Sequence, residues 1–304
     1  MLLHDRGKDC GRLGMNRWWH FLLVACLAAG CGQRPAITAV AAPTNGAVRV
    51  VSLAPNLTEM ICAIGAADGL VGRSSACRVP AEITQNVPVA GDFGAPSMES
   101  LVRCAPQIVV TVDLEDPNAA AAIRQLGIRC EWVPCRTLDD IPRALRTLGR
   151  LLRREDAARK LAGDIAGHLA ALRRAPRPAR PPGVFVEVWG DPLMTAGQRS
   201  FLTELIELAG GSNVVGDVAR DFFPISTETV LARNPGVILL LEAPDAKAAA
   251  GILARRAGWA EIAAVRDGRV CSGLDRSLLE VPGPRVLESV KMLQECLLSK
   301  YNHD

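Results

Sequence analysis

The chain has 304 residues, 35 lysines and arginines against 32 aspartates and glutamates, a net charge of +3, and 49% apolar residues. That length exceeds one comfortable core and fits two domains of roughly 110–130 residues. The near balance of charge, with no basic run interleaved with aromatics, excludes a nucleic-acid footprint. The Arg-rich stretch Arg173–Arg180 is broken by prolines and reads as a solvated linker.

Residues 1–31 read as an export signal. From Met15 a short positive region precedes an apolar stretch of roughly a dozen residues that starts at Trp18, followed by small residues. This is too short for a membrane span, which needs about 20 apolar residues. Leu27-Ala28-Ala29-Gly30-Cys31 resembles a bacterial lipobox, which makes Cys31 the candidate for acylation. Leu23-Val24-Ala25-Cys26 is a second candidate with a shorter apolar run, and a cleaved, unacylated product is the remaining alternative. Residues 1–14 read as lying upstream of the true start at Met15. Residues 32–47, rich in Pro, Ala, Thr and Gly, read as a tether.

The predicted N-terminal lobe covers 48–152. Arg49–Leu53 reads as a first strand ending at Pro55, and Asn56 or Thr58 as the cap of a helix closing at Gly65. Gln107–Val112 is a β-branched run expected of a strand buried on both faces. Ala119–Leu126 is helical, Ile128–Val133 is a strand, and Asp139–Leu152 is helical again. Strands alternating with helices imply a parallel α/β sheet. Residues 153–182 hold a linking helix and a proline-rich exit. In Glu155–Arg174, Leu161, Ile165, Leu169 and Leu172 recur at helical spacing, which predicts one amphipathic helix of about five turns ended by the prolines from Pro176 to Pro182. The pattern restarts at Val184–Trp189, opening a C-terminal lobe over 183–304. The expected fold class is therefore α/β: two similar lobes with parallel-type sheets, joined by one long backbone helix, with a ligand cleft between them.

An internal repeat supports two lobes of one design. Asp92-Phe93, Ser97, Glu99, Leu101-Val102 and Pro106 return as Asp221-Phe222, Ser226, Glu228, Val230-Leu231 and Pro235, offset throughout by 129 residues. Upstream, Leu57-Thr58-Glu59 is matched by Leu202-Thr203-Glu204. Ser97 and Ser226 are suited to cap helices, and Glu99 and Glu228 then fall in a first turn, where the helix dipole favours a carboxylate. An aromatic six residues before each glutamate is not explained by capping. Phe93 and Phe222 are candidates to face a large, flat, apolar ligand, with burial in the lobe cores as the alternative. Trp189 ends the first strand of the second lobe, and ligands of open α/β sheets bind beyond the carboxyl ends of strands. Asn56 holds the corresponding place in the first lobe.

Seven cysteines follow Cys31, an odd number, so at least one is unpaired within the chain. Cys104 and Cys130 each precede an apolar run and are candidates for a bridge at neighbouring strand starts. No Cys-x2-Cys spacing occurs, and His168 and His303 are the only histidines beyond the signal segment, which gives little to a zinc or manganese site. No histidine is placed to activate a Ser or Cys nucleophile, so no catalytic residue is assigned.

These residues resemble the extracytoplasmic substrate-binding proteins of ABC importers that carry a long backbone helix, the cobalamin and siderophore receptors. The likeness runs from about Val48 to Leu297. It rests on Val51-Ser52-Leu53-Ala54-Pro55-Asn56-Leu57-Thr58-Glu59, Ser97-x-Glu99, Leu126-Gly127-Ile128 and Ser226-x-Glu228 with Val230-Leu231-Ala232-Arg233-x-Pro235. It implies that Glu99 and Glu228 dock onto arginines of a permease dimer served by ATPase subunits. It also implies that Phe93, Trp189 and Phe222 line the cleft, with Arg285 near it. The ligand implied is cobalamin or a related corrinoid, carried without a resident cofactor. Phenylalanines stand at 93 and 222 where cobalamin receptors carry tryptophans, and Ser74–Pro80 replaces an aromatic-rich loop. Haem or a ferric siderophore is the alternative ligand, the latter favoured if Arg73, Arg78, Arg220 and Arg285 face the cleft. An exported bilobal enzyme or a scaffold lipoprotein are the alternatives of another class.

Overall fold

A computed structural model describes residues 46–298. The export segment, Cys31, almost all of the tether and His303 lie outside these residues. In the first lobe the elements are β1 Val50–Ser52, α1 Pro55–Ala63, β2 Leu70–Ser74, α2 Ala81–Thr84, β3 Val89–Asp92, β4 Ala95–Pro96, α3 Met98–Cys104, β5 Ile108–Thr111, α4 Ala119–Gln125, β6 Arg129–Trp132 and α5 Asp140–Leu152. The linking helix α6 is Glu155–Arg174. The second lobe holds β7 Gly183–Gly190, β8 Leu193–Ala196, α7 Phe201–Leu208, β9 Ser212–Asn213, β10 Phe222–Pro224, α8 Thr227–Arg233, β11 Val237–Leu240, α9 Ala246–Ala254, α10 Ala263–Arg266, β12 Val270–Cys271 and α11 Val286–Leu298.

The first sheet has the order β4-β3-β2-β1-β5-β6 and is parallel except for β4. The second has the order β10-β8-β7-β11-β12, with β9 also on β7. Here β8 runs antiparallel to both β7 and β10, so this sheet is mixed rather than purely parallel. The cause is a tight return at Gly190-Asp191-Pro192, which folds the chain back before any helix can form. In the central strands β1, β5 and β11 every residue is buried, because helices cover both faces of each sheet.

One apolar core crosses from lobe to lobe. It joins Leu57, Ile61 and Leu145 of the first lobe to Val184, Leu205 and Leu293 of the second through Ala158, Ala162, Ile165 and Leu169 of α6. The buried stripe of α6 thus contains two alanines, while the expected Leu161 and Leu172 are half-buried at its edge. Small side chains are needed there: a Cβ at Gly149 of α5 would sit 2.4 Å from the Ala158 Cβ, so the two helices touch almost backbone to backbone.

Polar contacts pin both ends of α6. At its start, Arg154 Nε donates to Gly65 O at 2.9 Å and its guanidinium pairs with Asp68 at 3.5 Å. At its end, Arg173 bonds Asp139 at 2.8 Å and Glu204 at 2.5 Å, tying both lobes to the helix. Arg173, read from the sequence as part of a solvated stretch, is instead a clamp.

The bridge in the described residues is Cys271–Cys296, between β12 and α11. Cys104 and Cys130 are both free. The expected pairing fails for a topological reason. The Cys104 sulfur lies 3.0 Å from where a Gly72 Cβ would stand, over β2, whereas Cys130 is in β6, three strands away at about 4.8 Å per strand.

Candidate functional site

Each lobe presents a short helix at its repeated motif. Ser97 Oγ accepts the Ser100 N–H at 3.2 Å and caps α3; Ser226 Oγ accepts the Thr229 N–H at 3.3 Å and caps α8. Glu99 and Glu228 follow in the first turns and are both exposed. Glu99 pairs with Arg103 at 3.0 Å. The Glu228 carboxyl is held below the ordinary range by its own backbone N–H and by the Ser226 hydroxyl.

The three candidate aromatics are all outside the cores. Phe93 is 39% exposed, in the turn between β3 and β4; Trp189 is 47% exposed, at the carboxyl end of β7; Phe222 is 41% exposed, at the start of β10. The Trp189 indole N–H donates to Asp191 O at 2.8 Å, and the next backbone N–H, of Gly190, is held by Glu242 at 3.0 Å. Phe222 lines a niche of about 170 Å³ with Val188, Leu202, Leu241, Leu279, Arg276 and Glu280. Arg276 bonds Glu280 at 2.9 Å and approaches Glu242 at 3.7 Å, so the polar side of this niche is an internally balanced set. Behind it, Arg256 forms a bidentate pair with buried Glu187 and lies 4.5 Å over the Trp259 ring.

Two candidates lie elsewhere than expected. Asn56 is 1% exposed and is not a cap; Ala54 caps α1, with Pro55 in the first helical position, where its missing N–H costs nothing. The Asn56 carboxamide donates to Pro282 O of the second lobe at 3.0 Å. The Cys135 thiol donates to the same carbonyl at 3.4 Å, and burial pushes that thiol up to about 12, so it stays a neutral donor. Arg285 bonds Glu59 of α1 at 2.7 and 3.1 Å, donates to Ser277 Oγ at 2.9 Å and stands 3.6 Å from Asp275. Glu59 is only 7% exposed. Asn56 and Arg285 therefore build the seam between lobes, with their polar groups already committed. Arg73 is similarly engaged with Thr84 O at 2.7 Å, while Arg78 and Arg220 are exposed.

The sequence reading passed over Trp132. It stands at the carboxyl end of β6, is 52% exposed, and donates its indole N–H to Val112 O at 2.7 Å. The rule that singled out Trp189 selects it equally. Glu242, Arg276 and Glu280 were missed as well, since nothing local marks a charged residue that meets its partner only in the fold.

Two α/β lobes fixed on a rigid helix, with exposed aromatics near strand ends and a carboxylate on each tip, define a bilobal ligand-binding protein. Residues 50–275 match the model of the periplasmic binding protein family, and the chain belongs to that family. It is 29% identical over 248 residues to the Vitamin B12-binding protein of Vibrio cholerae serotype O1, covering 81% of this chain and 88% of that relative. It is 26% identical to an uncharacterized ABC transporter substrate-binding lipoprotein, YvrC, of Bacillus subtilis, covering 92% and 96%. Among solved structures it resembles the apo periplasmic heme-binding protein RhuT of Roseiflexus sp. RS-1, with a TM-score of 0.72, 27% identity, and coverage of 83% and 100%. Its relatives and its fold are those of substrate-binding proteins, not of enzymes.

Proposed function

We propose that this protein captures cobalamin or a related corrinoid outside the cytoplasm and delivers it to an ABC permease through Glu99 and Glu228, with Cys31 acylated as its membrane anchor. The observation that carries the ligand reading is the exposure of Phe93, Trp189 and Phe222. Three large rings left at 39–47% exposure forgo somewhat less than half of the roughly 1.5–3 kcal/mol that burying a whole side chain is worth, a cost that an apolar ligand removes. The niche beside Phe222 is smaller than the roughly 300–1,000 Å³ of a whole small-molecule site, so it suits one edge of a ligand whose bulk lies over the rings.

A corrinoid brings its own axial ligands, and the protein offers few. Its only tyrosine is Tyr301, and His168 lies on α6 with its ring bonded to Asp164 O at 2.8 Å, far in sequence from any strand end. Haem held through a protein ligand fits this set less well, though the likeness to a haem-binding structure keeps it as the second reading. Isothermal titration with cyanocobalamin, haem and a ferric hydroxamate tests the ligand. One-to-one corrinoid binding at micromolar Kd or tighter, weakened by Phe222→Ala, is the expected result; binding of haem or the hydroxamate alone moves the ligand and keeps the transport role.

A further inference from the structure

A second surface lies well away from the aromatics. Between Arg143 and Lys160 the chain carries seven cations and two carboxylates, Glu155 and Asp156, a local excess larger than the net charge of the whole protein. The exposed face of α5 and the start of α6 enclose a groove of about 430 Å³ lined by Arg143, Arg146, Thr147, Arg150, Glu155 and Arg159. The close approach of the helices at Gly149 and Ala158 brings these side chains together. Arg143 and Arg159 are paired along their own helices, with Asp140 and Asp156. Among the described residues no carboxylate pairs with Arg146 or Arg150: Arg146 donates to Pro142 O at 3.3 Å, and Arg150 reaches the Thr147 hydroxyl at 3.5 Å. Clustered guanidinium groups repel one another, and phosphate oxygens, which they bond in planar forks, relieve that repulsion.

The position of the groove says where such phosphates come from. Helix α1 starts at the lobe seam, where Asn56 meets Pro282, and ends at Ala63, two residues before Gly65, whose carbonyl is held by Arg154 at the α5–α6 corner. That corner is therefore at the amino ends of the strands, the opposite end of the lobe from the seam. The chain enters the lobe at the same end: Val48 O is 2.3 Å from where a Gly69 Cβ would be, beside the Asp68–Arg154 pair. The described chain thus begins near Arg154, at the corner where α5 meets α6.

We propose that the α5–α6 groove is a docking face for the phosphate headgroups of an anionic membrane leaflet. It lays the lobe that carries the tether on the lipid surface along the exposed face of α5. The inference rests on the anchored reading only for its membrane location; the 15 residues from 32 to 46 would reach at most about 50 Å.

Cosedimentation of the full chain with phosphatidylcholine vesicles, and with vesicles containing phosphatidylglycerol, tests this. The expected result is binding to the anionic vesicles roughly tenfold tighter or more, fading as salt is raised. Arg146→Glu/Arg150→Glu should abolish that preference, and Arg150→Gln alone should reduce it by roughly fivefold; circular dichroism melts confirm that both variants fold. Cys31→Ala separates the anchor from the groove: it lowers binding to both vesicles alike if acylation matters and leaves their ratio intact. No preference for anionic vesicles, or a preference that survives both arginine variants, overturns the proposal. So does its loss in millimolar inorganic phosphate at constant ionic strength, which would mark a site for one free anion.

Discussion

The tips of the two lobes carry nearly the same sequence and are not the same object. In the first, Phe93 and Gly94 turn the chain between β3 and β4, with Gly94 at φ +68, a conformation that favours glycine. In the second, a phenylalanine follows Phe222 instead, the chain stays extended, and Phe222 pairs across to Ala196 on β8. The charges differ too. Arg103 stands four residues after Glu99 and pairs with it, whereas Ala232 holds that place after Glu228. The basic residue of α8, Arg233, is one position further on and bonds Asp217 at 2.7 Å. A one-residue shift decides whether a tip carboxylate is already partnered by an arginine of its own helix.

The largest expected effect tests whether the tips act at all. Glu99→Arg/Glu228→Arg should leave ligand affinity unchanged by titration calorimetry and abolish uptake in a transport assay; normal uptake sinks the docking role. Singly, Glu228→Arg should cost more uptake than Glu99→Arg, because Glu99 must first give up Arg103. Equal losses would mean that this intrahelical pair is solvated away, as exposed pairs commonly are.

Two tips can serve one partner only if their separation is fixed, and the seam fixes it. Arg285→Ala leaves Glu59 buried without its counter-charge and removes a tie between lobes. Its cost in urea unfolding should be about 3 kcal/mol, the low end for a buried pair because Arg285 keeps 24% of its side chain exposed. A change below about 0.5 kcal/mol, ordinary for surface sites, would show that the apolar core alone holds the lobes.

The fold was largely legible because its signals are local or periodic. The 129-residue repeat announces two lobes, the stripe at helical spacing and the prolines delimit α6, and a β-branched run gives β5. Strands β2 to β4 escaped because Gly72, Arg73 and Gly91 interrupt their apolar pattern. The seam escaped for another reason: Glu59 and Arg285 are 226 residues apart, and each looks locally like an ordinary helix or loop charge. The aromatics were legible as an anomaly, since capping explained Ser97 and Ser226 but left Phe93 and Phe222 without a purpose.

The smallest effect isolates the backbone. Both tip helices end in a left-handed residue, Ala105 at φ 42 and Asn234 at φ 42, again 129 positions apart. Asparagine tolerates that conformation and alanine pays about 1 kcal/mol or more for it. Asn234 also accepts the Ala263 N–H at 2.8 Å, tying α8 to α10. Ala105→Gly should therefore stabilise the protein by roughly 0.5–1 kcal/mol, since glycine adopts the conformation without strain. Asn234→Ala should destabilise it by more than that, because it adds the strain and deprives a backbone donor of its partner. Denaturant midpoints of the two variants check the asymmetry. If both shift equally in size, the bond to Ala263 contributes nothing, and the two helix ends differ in sequence but not in energy.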